Sequence, residues 1–320
     1  MIRTVGFIGA GTHVREVLLP AAVAAGLRPG AVAARTVPSA RAAAAPYGAR
    51  VFADVEELVR SPEIDAVVVA VPPDQSARVM SAVIASGKPC YVEKPAAVSS
   101  AQAGQLAELA DERGCRVHVG YMKRYAPAYL RLFETRDHRD MGPLSLVTVR
   151  WAMGPFGGGR ELGDWLTENA VHAFDLARYL LGDIRIENIL TRRSAGQHVV
   201  LVHGTGQQGT PLALQLCTTG PWWHDNETVE VFGLGSSLLA RNATELTFRR
   251  NDGPEEVWRP NFTIPVDRNL TGTLLGFTPA LRAFAEPDSA PIPAPTLRDA
   301  AAVLALVEEV LDSAAAPDGH

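Results

Sequence analysis

Val5-Gly6-Phe7-Ile8-Gly9-Ala10-Gly11 is the stretch that decides the fold. A short apolar run passes directly into a Gly-x-Gly turn, and residues 14–25 behind it read as a helix. A strand, a glycine turn and a helix in that order make a cradle for a phosphate. The first glycine allows the tight turn and the second lets the backbone approach an anion. The helix N-terminus then supplies free N–H groups and the positive end of its dipole. Thr12 and His13 stand where that helix begins, and with Gly9 and Gly11 they are candidates for a dinucleotide site. The third position of the usual fingerprint, Gly or Ala, is Val14 here.

The rhythm around this stretch repeats. Apolar runs at 31–34, 66–70, 90–92 and 116–119 alternate with helical patterns at 39–47, 75–86 and 100–113, and 54–60 reads as a short extra helix. Such alternation predicts βαβ units and a parallel sheet. Beyond about residue 122 the pattern changes. Longer or alternating runs at 145–151, 199–203, 213–218, 228–232 and 245–248 are separated by turn sequences, which predicts a large, mostly antiparallel open sheet. Residues 169–181 and 297–313 read as helices within this half. The expectation is an α/β protein with a dinucleotide-binding domain at 1–122 and a substrate-binding domain at 123–320. The last helix is expected to return to the first domain.

The bulk properties narrow the function. At 320 residues the chain exceeds the roughly 250–300 at which a single core tends to split. A net charge of −5 gives no reason to expect a nucleic-acid or membrane partner. Three cysteines, Cys90, Cys115 and Cys217, are too few and too scattered for a disulfide framework, and no dense His/Cys spacing suggests a metal site. No apolar run approaches the about 20 residues of a membrane span, and no signal peptide is legible, so a cytoplasmic location is expected.

The end of the second strand bears on cofactor choice. A site for NAD places an acidic residue there to bind the ribose 2′-hydroxyl. This chain has no Asp or Glu between Glu16 and Asp54, and the strand ends Ala33-Ala34-Arg35-Thr36. A guanidinium is a rigid, permanently charged fork suited to a 2′-phosphate. Arg35, Thr36 and the helical Arg41 therefore favour NADP(H), with NAD(H) the alternative.

Two further stretches carry chemistry. Glu93-Lys94-Pro95 follows the apolar run ending at Val92, so Lys94 is placed at a strand C-terminus, where open α/β sheets hold their ligands. Glu168, His172 and Asp175 fall on one face of the expected helix. A histidine between two carboxylates is suited to proton transfer, and equally to a charge-paired surface helix. Tyr121 and Lys123 follow the last parallel strand as candidate substrate contacts. The Gly-rich stretch 154–163 lacks the Gly-Lys-Ser/Thr of a P-loop and reads as a mobile loop. Trp222 and its neighbours Trp223 and His224 are candidates for stacking on a substrate ring or for an interface, and equally for core or edge packing.

In their order along the chain these pieces resemble the glucose-fructose oxidoreductase / inositol dehydrogenase (Gfo/Idh/MocA) family. They are Gly6-Phe-Ile-Gly-Ala-Gly11, Val71-Pro-Pro-Asp74, Gly87-Lys-Pro89, Glu93-Lys-Pro95, Gly120-Tyr-Met-Lys-Arg-Tyr-Ala-Pro127 and Glu168-x-x-x-His172-x-x-Asp175. The resemblance implies hydride transfer between a nicotinamide and a carbinol carbon of a sugar, nucleotide sugar, amino-sugar or cyclitol. It implies a catalytic Lys94, a proton-exchanging His172 and, near the cofactor, Pro72 and Glu93. It also implies a homodimer or homotetramer. Glu168 stands where the family often has Asp, and Ser76 where many members have His. The rival expectations are a catalytically silent nucleotide sensor of the same fold, and a hydrolase or lyase using a tightly held cofactor for transient oxidation.

Overall fold

The computed structural model describes residues 2–137, 141–153, 161–220, 227–260 and 269–315. The chain divides into two compact units. The first comprises Met1–Tyr125 and Pro265–Ala302, the second Ala126–Ile264 and Val303–His320.

The first unit is built on six parallel strands. These are β1 (Thr4–Ile8), β2 (Arg28–Ala33), β3 (Arg50–Phe52), β4 (Ala66–Val69), β5 (Cys90–Val92) and β6 (Val117–Val119), in the order β3-β2-β1-β4-β5-β6. That is the Rossmann order, with its reversal between β1 and β4. The crossovers are α1 (Leu19–Ala24), α2 (Val37–Ala44), α3 (Val55–Arg60), α4 (Pro73–Ala85) and α5 (Ser100–Glu112). Local chemistry starts three of them. Thr36, Asp54 and Ser99 each accept a backbone N–H at the entry of α2, α3 and α5. Val14 opens a five-residue π turn, Val14–Leu18, ahead of α1. A valine stands there where Gly or Ala lets a helix close on its strand, and these residues take the wider π form.

The second unit carries α6 (Pro127–Arg136), β7 (Leu146–Trp151), α7 (Leu162–Trp165), α8 (Val171–Leu181), β8 (Arg185–Ser194), β9 (Gln197–Thr205), β10 (Pro211–Cys217), β11 (Glu227–Phe232), β12 (Ser236–Arg241), β13 (Glu245–Arg250) and β14 (Glu256–Trp258). Among the described residues the eight strands form one sheet in the order β14-β13-β12-β11-β7-β10-β9-β8, with β7 and β10 its one parallel pair. β9 and β11 alternate buried and half-buried residues, so one face is covered. α6 and α8 pack against this sheet. Tyr129 of α6 donates its hydroxyl to Glu227 Oε1 of β11 at 2.6 Å, fully buried. Burial, then the neighbouring carboxylate, push that phenol well above its ordinary range.

The division of units does not follow a single cut after residue 122. α9 (Leu270–Leu274) and α10 (Phe277–Ala285) group with the first unit. The reason is apolar burial: Phe277, Ala280, Leu281 and Phe284 repeat at helical spacing and join the core that holds Val5, Phe7 and Tyr91. The N–H of Val119 on β6 donates to the carbonyl of Pro295 at 2.8 Å, so the returning segment also covers a sheet edge. The last helix, α11 (Leu297–Ala315), has only its first six residues in the first unit. Thr296 and Asp299 cap it reciprocally, each side chain accepting the other's backbone N–H.

His118 on β6 lies in this core, 1% exposed, with its ring 5.2 Å from Tyr91 and 5.4 Å from Tyr125. Neither ring nitrogen has a hydrogen-bond partner among the described residues. Burial, aided by Arg116 and Arg124, lowers its pKa from 6.5 to about 3. The unfolded chain therefore binds the proton more readily. The neutral ring's contribution is complete above pH 6.5 and is lost progressively as the pH falls towards 3. His118→Phe is expected to flatten the acid limb of a urea-unfolding series between those pH values, by up to about 1.4 kcal/mol per pH unit. An acid limb as steep as the wild type's would contradict this.

Candidate active site

The row of strand C-termini in the first unit is continued by backbone hydrogen bonds one residue beyond the ladder. The Gly9 N–H donates to Ala33 O at 2.8 Å, Ala70 N–H to Ile8 O at 2.9 Å, Glu93 N–H to Val69 O at 2.8 Å and Gly120 N–H to Val92 O at 2.7 Å. Gly9, Ala70, Glu93 and Gly120 thus stand at one edge of the sheet. Gly9 has φ +117°, and a Cβ there would collide with the Ala70 carbonyl. Only glycine fits both demands.

A cleft of about 1070 Å³ opens at this edge, at the upper end of ordinary ligand clefts. Gly9, Gly11, Arg35, Thr36 and Pro72 all line it. Thr12, His13, Arg41, Glu93 and Lys94 do not belong to its lining. Thr36 Oγ1 accepts the Ser39 N–H and donates to Ser39 Oγ at 2.8 Å, so both hydroxyls sit at the first turn of α2. A cradle without side chains, a helix start behind it and a guanidinium at the end of β2 fit a dinucleotide. The pyrophosphate would lie against Gly9–Gly11, and the adenosine end against Arg35 and Thr36.

The Glu93–Lys94–Pro95 stretch is held from three sides. Glu93 is 8% exposed, and its Oε1 lies 3.6 Å from His13 Nε2. The His13 ring in turn meets the Phe277 ring edge-on, with centroids 5.5 Å apart. Below, a Cβ on Gly120 would press on Glu93 Oε1 at 3.0 Å, so that glycine leaves room for the carboxylate. Beyond the Lys94–Pro95 peptide, which is cis, the buried Ser76 hydroxyl donates to Ala96 O at 2.6 Å. A serine on α4 therefore pins the segment that carries Lys94. Lys94 itself is half-buried.

Tyr121, Lys123 and Arg124 belong to the segment leaving β6. All three are buried, Lys123 to 6% exposure. Arg124 lies over the Tyr121 ring at 5.8 Å and reaches Asp299 Oδ1 at 3.3 Å. Burial works to raise the Asp299 carboxyl, but Arg124 and Thr296 outweigh it and hold it below the usual carboxylate range.

The second unit carries the carboxylate–histidine group, and here the structure departs from the expected helix. α8 begins at Val171, and Leu166–Ala170 before it form a π turn. Glu168 lies in that turn, so its four-residue step to His172 is not an α-helical one. His172 and Asp175, three apart within α8, keep regular spacing. His172 is 4% exposed and Asp175 fully buried, while Glu168 is half-buried, so this is not a solvated surface histidine. None of the three is a free group. The His172 ring lies 5.9 Å from the Trp151 ring of β7. Trp222 and the glycine-rich loop 154–160 lie outside the described residues.

Two features of the site escaped the sequence reading, and a third was seen without its role. Phe277 had a visible signal, the apolar spacing of α10. Ser76 was legible only as a departure from the family pattern, because its partner is a backbone oxygen 20 residues away. Arg78 of α4 lines the cleft and was legible only as a helix residue.

Residues 3–121 match the sequence family GFO/IDH/MocA, described as an oxidoreductase family with an NAD-binding Rossmann fold. Inositol 2-dehydrogenase 2 of Saccharopolyspora erythraea is 35% identical over 189 residues, which is 57% of this chain and 55% of that protein. The chain spans about half the length of the curated relatives it matches. Among solved structures, GenD2 from gentamicin A biosynthesis, in complex with NAD, is similar with a TM-score of 0.76 and 25% identity, covering 100% of this chain and 95% of that one. A dehydrogenase from Chromobacterium violaceum has a TM-score of 0.83 at 19% identity, covering 98% and 95%, a likeness of fold alone.

Ser76→Ala leaves the Ala96 carbonyl buried without its donor. The expected cost is about 1–3 kcal/mol in chemical unfolding. A variant as stable as the wild type would show that the Ser76 hydroxyl does not hold the Lys94 segment.

Proposed function

We propose, for a chain whose residues 3–121 match the model of the Gfo/Idh/MocA oxidoreductase family, an NADP(H)-preferring oxidoreductase acting on a carbinol or keto carbon of a sugar, nucleotide sugar, amino-sugar or cyclitol. The observation that carries the reading is the convergence of Gly9, Gly11, Arg35 and Thr36 on one cleft at the C-terminal edge of the parallel sheet. The relatives named as inositol 2-dehydrogenases support a polyol substrate. The dinucleotide supplies the hydride acceptor or donor when bound. The chain's own residues manage the rest.

Oxidising an alcohol releases a proton with the hydride, so a base must meet the hydroxyl, and the same group serves as acid in the reverse direction. Lys94 is proposed for this role, at the end of β5 and held in place through Ser76 and Glu93. His172 is proposed as the partner in proton exchange, with Asp175 and Glu168 fixing its charge and orientation. Tyr121, Lys123 and Trp222 are proposed substrate contacts. A homodimer or homotetramer in the cytoplasm accompanies this reading.

The NADP(H) preference rests on a second observation. The β2 end offers a guanidinium and two hydroxyls, whereas a site for the 2′-hydroxyl of NAD calls for a carboxylate. Arg35→Asp is expected to raise KM for NADP(H) by about tenfold or more while leaving that for NAD(H) nearly unchanged. Equal effects on both cofactors would remove the assignment.

The chemistry is tested with a panel of polyols and keto-sugars and either nicotinamide cofactor. Lys94→Ala and His172→Ala should each lower kcat/KM by about 100-fold or more. Their separate pH–rate profiles assign the acid/base limb. Cofactor binding without any turnover across the panel would favour the silent nucleotide sensor instead. Product formed without net cofactor consumption would favour transient oxidation.

A further inference from the structure

The cleft beside the glycine turn holds a second cation. α4 turns Asp74, Arg78 and Ala82 towards it, one helical turn apart. Arg35 and Thr36 line the same cleft from the β2–α2 turn, and Asp54 and Glu56 line it from the start of α3. Three carboxylates and two guanidiniums thus share one space, and a formal count gives it a slight negative charge.

The pairing changes that balance. Asp54 Oδ1 accepts the Glu56 N–H at 2.5 Å and is engaged as the cap of α3. Glu56 Oε2 pairs with Arg60 at 3.2 Å. Asp74 sits in the first turn of α4, where the helix dipole offsets its charge. Neither the Arg35 nor the Arg78 guanidinium has a hydrogen-bond or ion-pair partner among the described residues. The groups left to meet a ligand are two guanidiniums from different elements, beside the Thr36 and Ser39 hydroxyls.

A phosphomonoester carries about −1.5 to −2 charges near pH 7 and three strong acceptor oxygens. One guanidinium fork engages two oxygens and neutralises a single charge. A second cation from another wall of the cleft would complete the match. We propose that Arg78 is that second cation, a specificity-determining residue that contacts the 2′-phosphate of the adenosine end together with Arg35. This rests on the dinucleotide reading above. It assigns Arg78 to the phosphate and not to the adenine ring, so its effect falls on the phosphorylated nucleotide alone.

The test uses the full chain and two nucleotide fragments, 2′,5′-ADP and 5′-AMP, in calorimetric titrations that need no turnover. In the wild type 2′,5′-ADP should bind at least about tenfold more tightly than 5′-AMP. Arg78→Gln should weaken 2′,5′-ADP by about tenfold and 5′-AMP by less than about twofold, and the difference should shrink as salt rises. Arg78→Lys should fall between the two. Circular-dichroism melting of each variant checks that the fold is kept. Equal losses for both fragments, or none for either, would overturn the role of Arg78. A preference abolished by Arg35→Gln but untouched by Arg78→Gln would overturn only this inference. A wild type that binds both fragments equally, or neither, would bring down the 2′-phosphate reading itself.

Discussion

The absence of one side chain holds the first unit's active edge together. Gly9 adopts φ +117° against the carbonyl of Ala70. Its own N–H reaches back to Ala33, while Ala70 reaches back to Ile8. A Cβ would separate β1 from β4 at the point where the strand order reverses. That is where the crevice of a doubly wound sheet opens. Because the glycine fits, the ladder runs on through Glu93 and Gly120, and the segment that carries Lys94 starts from a fixed row of hydrogen bonds. The glycine turn proposed to cradle a phosphate and the placement of the lysine are consequences of the same constraint.

Beneath that edge, the first unit is completed by chain from far along the sequence. α10 brings Phe284 against Tyr91 and His118, and Phe277 against His13. Arg116 ties in the same helix, donating to Phe284 O at 2.9 Å and lying 5.2 Å over its ring. The residues at the glycine turn are therefore buttressed by a helix about 270 positions downstream. Burial of His118 without hydrogen bonds adds a pH-sensitive element to this core, whose protonation opposes folding.

Much of the first unit was legible because each strand and its following helix form a local unit. Strand, glycine turn and helix can be read within 20 residues. The unit boundary was not legible, because α10 finds its apolar partners in a core set by the N-terminal strands. In the second unit, β8 was obscured by its charged residues and a register shift between Ile186 and Asn188. β12 was obscured by Leu238 and Leu239, which break strict alternation. The π turn at Leu166–Ala170 left no trace in residue spacing, so Glu168 was placed one step too regularly against His172. Arg35 was readable because its position after β2 is fixed by the fold. Arg78 was not, since the cleft that it lines exists only once α4 is laid beside β1 and β4.

The central claim is that the cleft formed by the glycine turn, Arg35 and α4 holds a 2′-phosphorylated dinucleotide. The most direct measurement is equilibrium titration of the wild-type chain with NADPH and with NADH, followed by nucleotide fluorescence at one ionic strength. The account predicts that NADPH binds at least about tenfold more tightly, a difference of about 1.4 kcal/mol. Equal affinities, or a tighter complex with NADH, would contradict it.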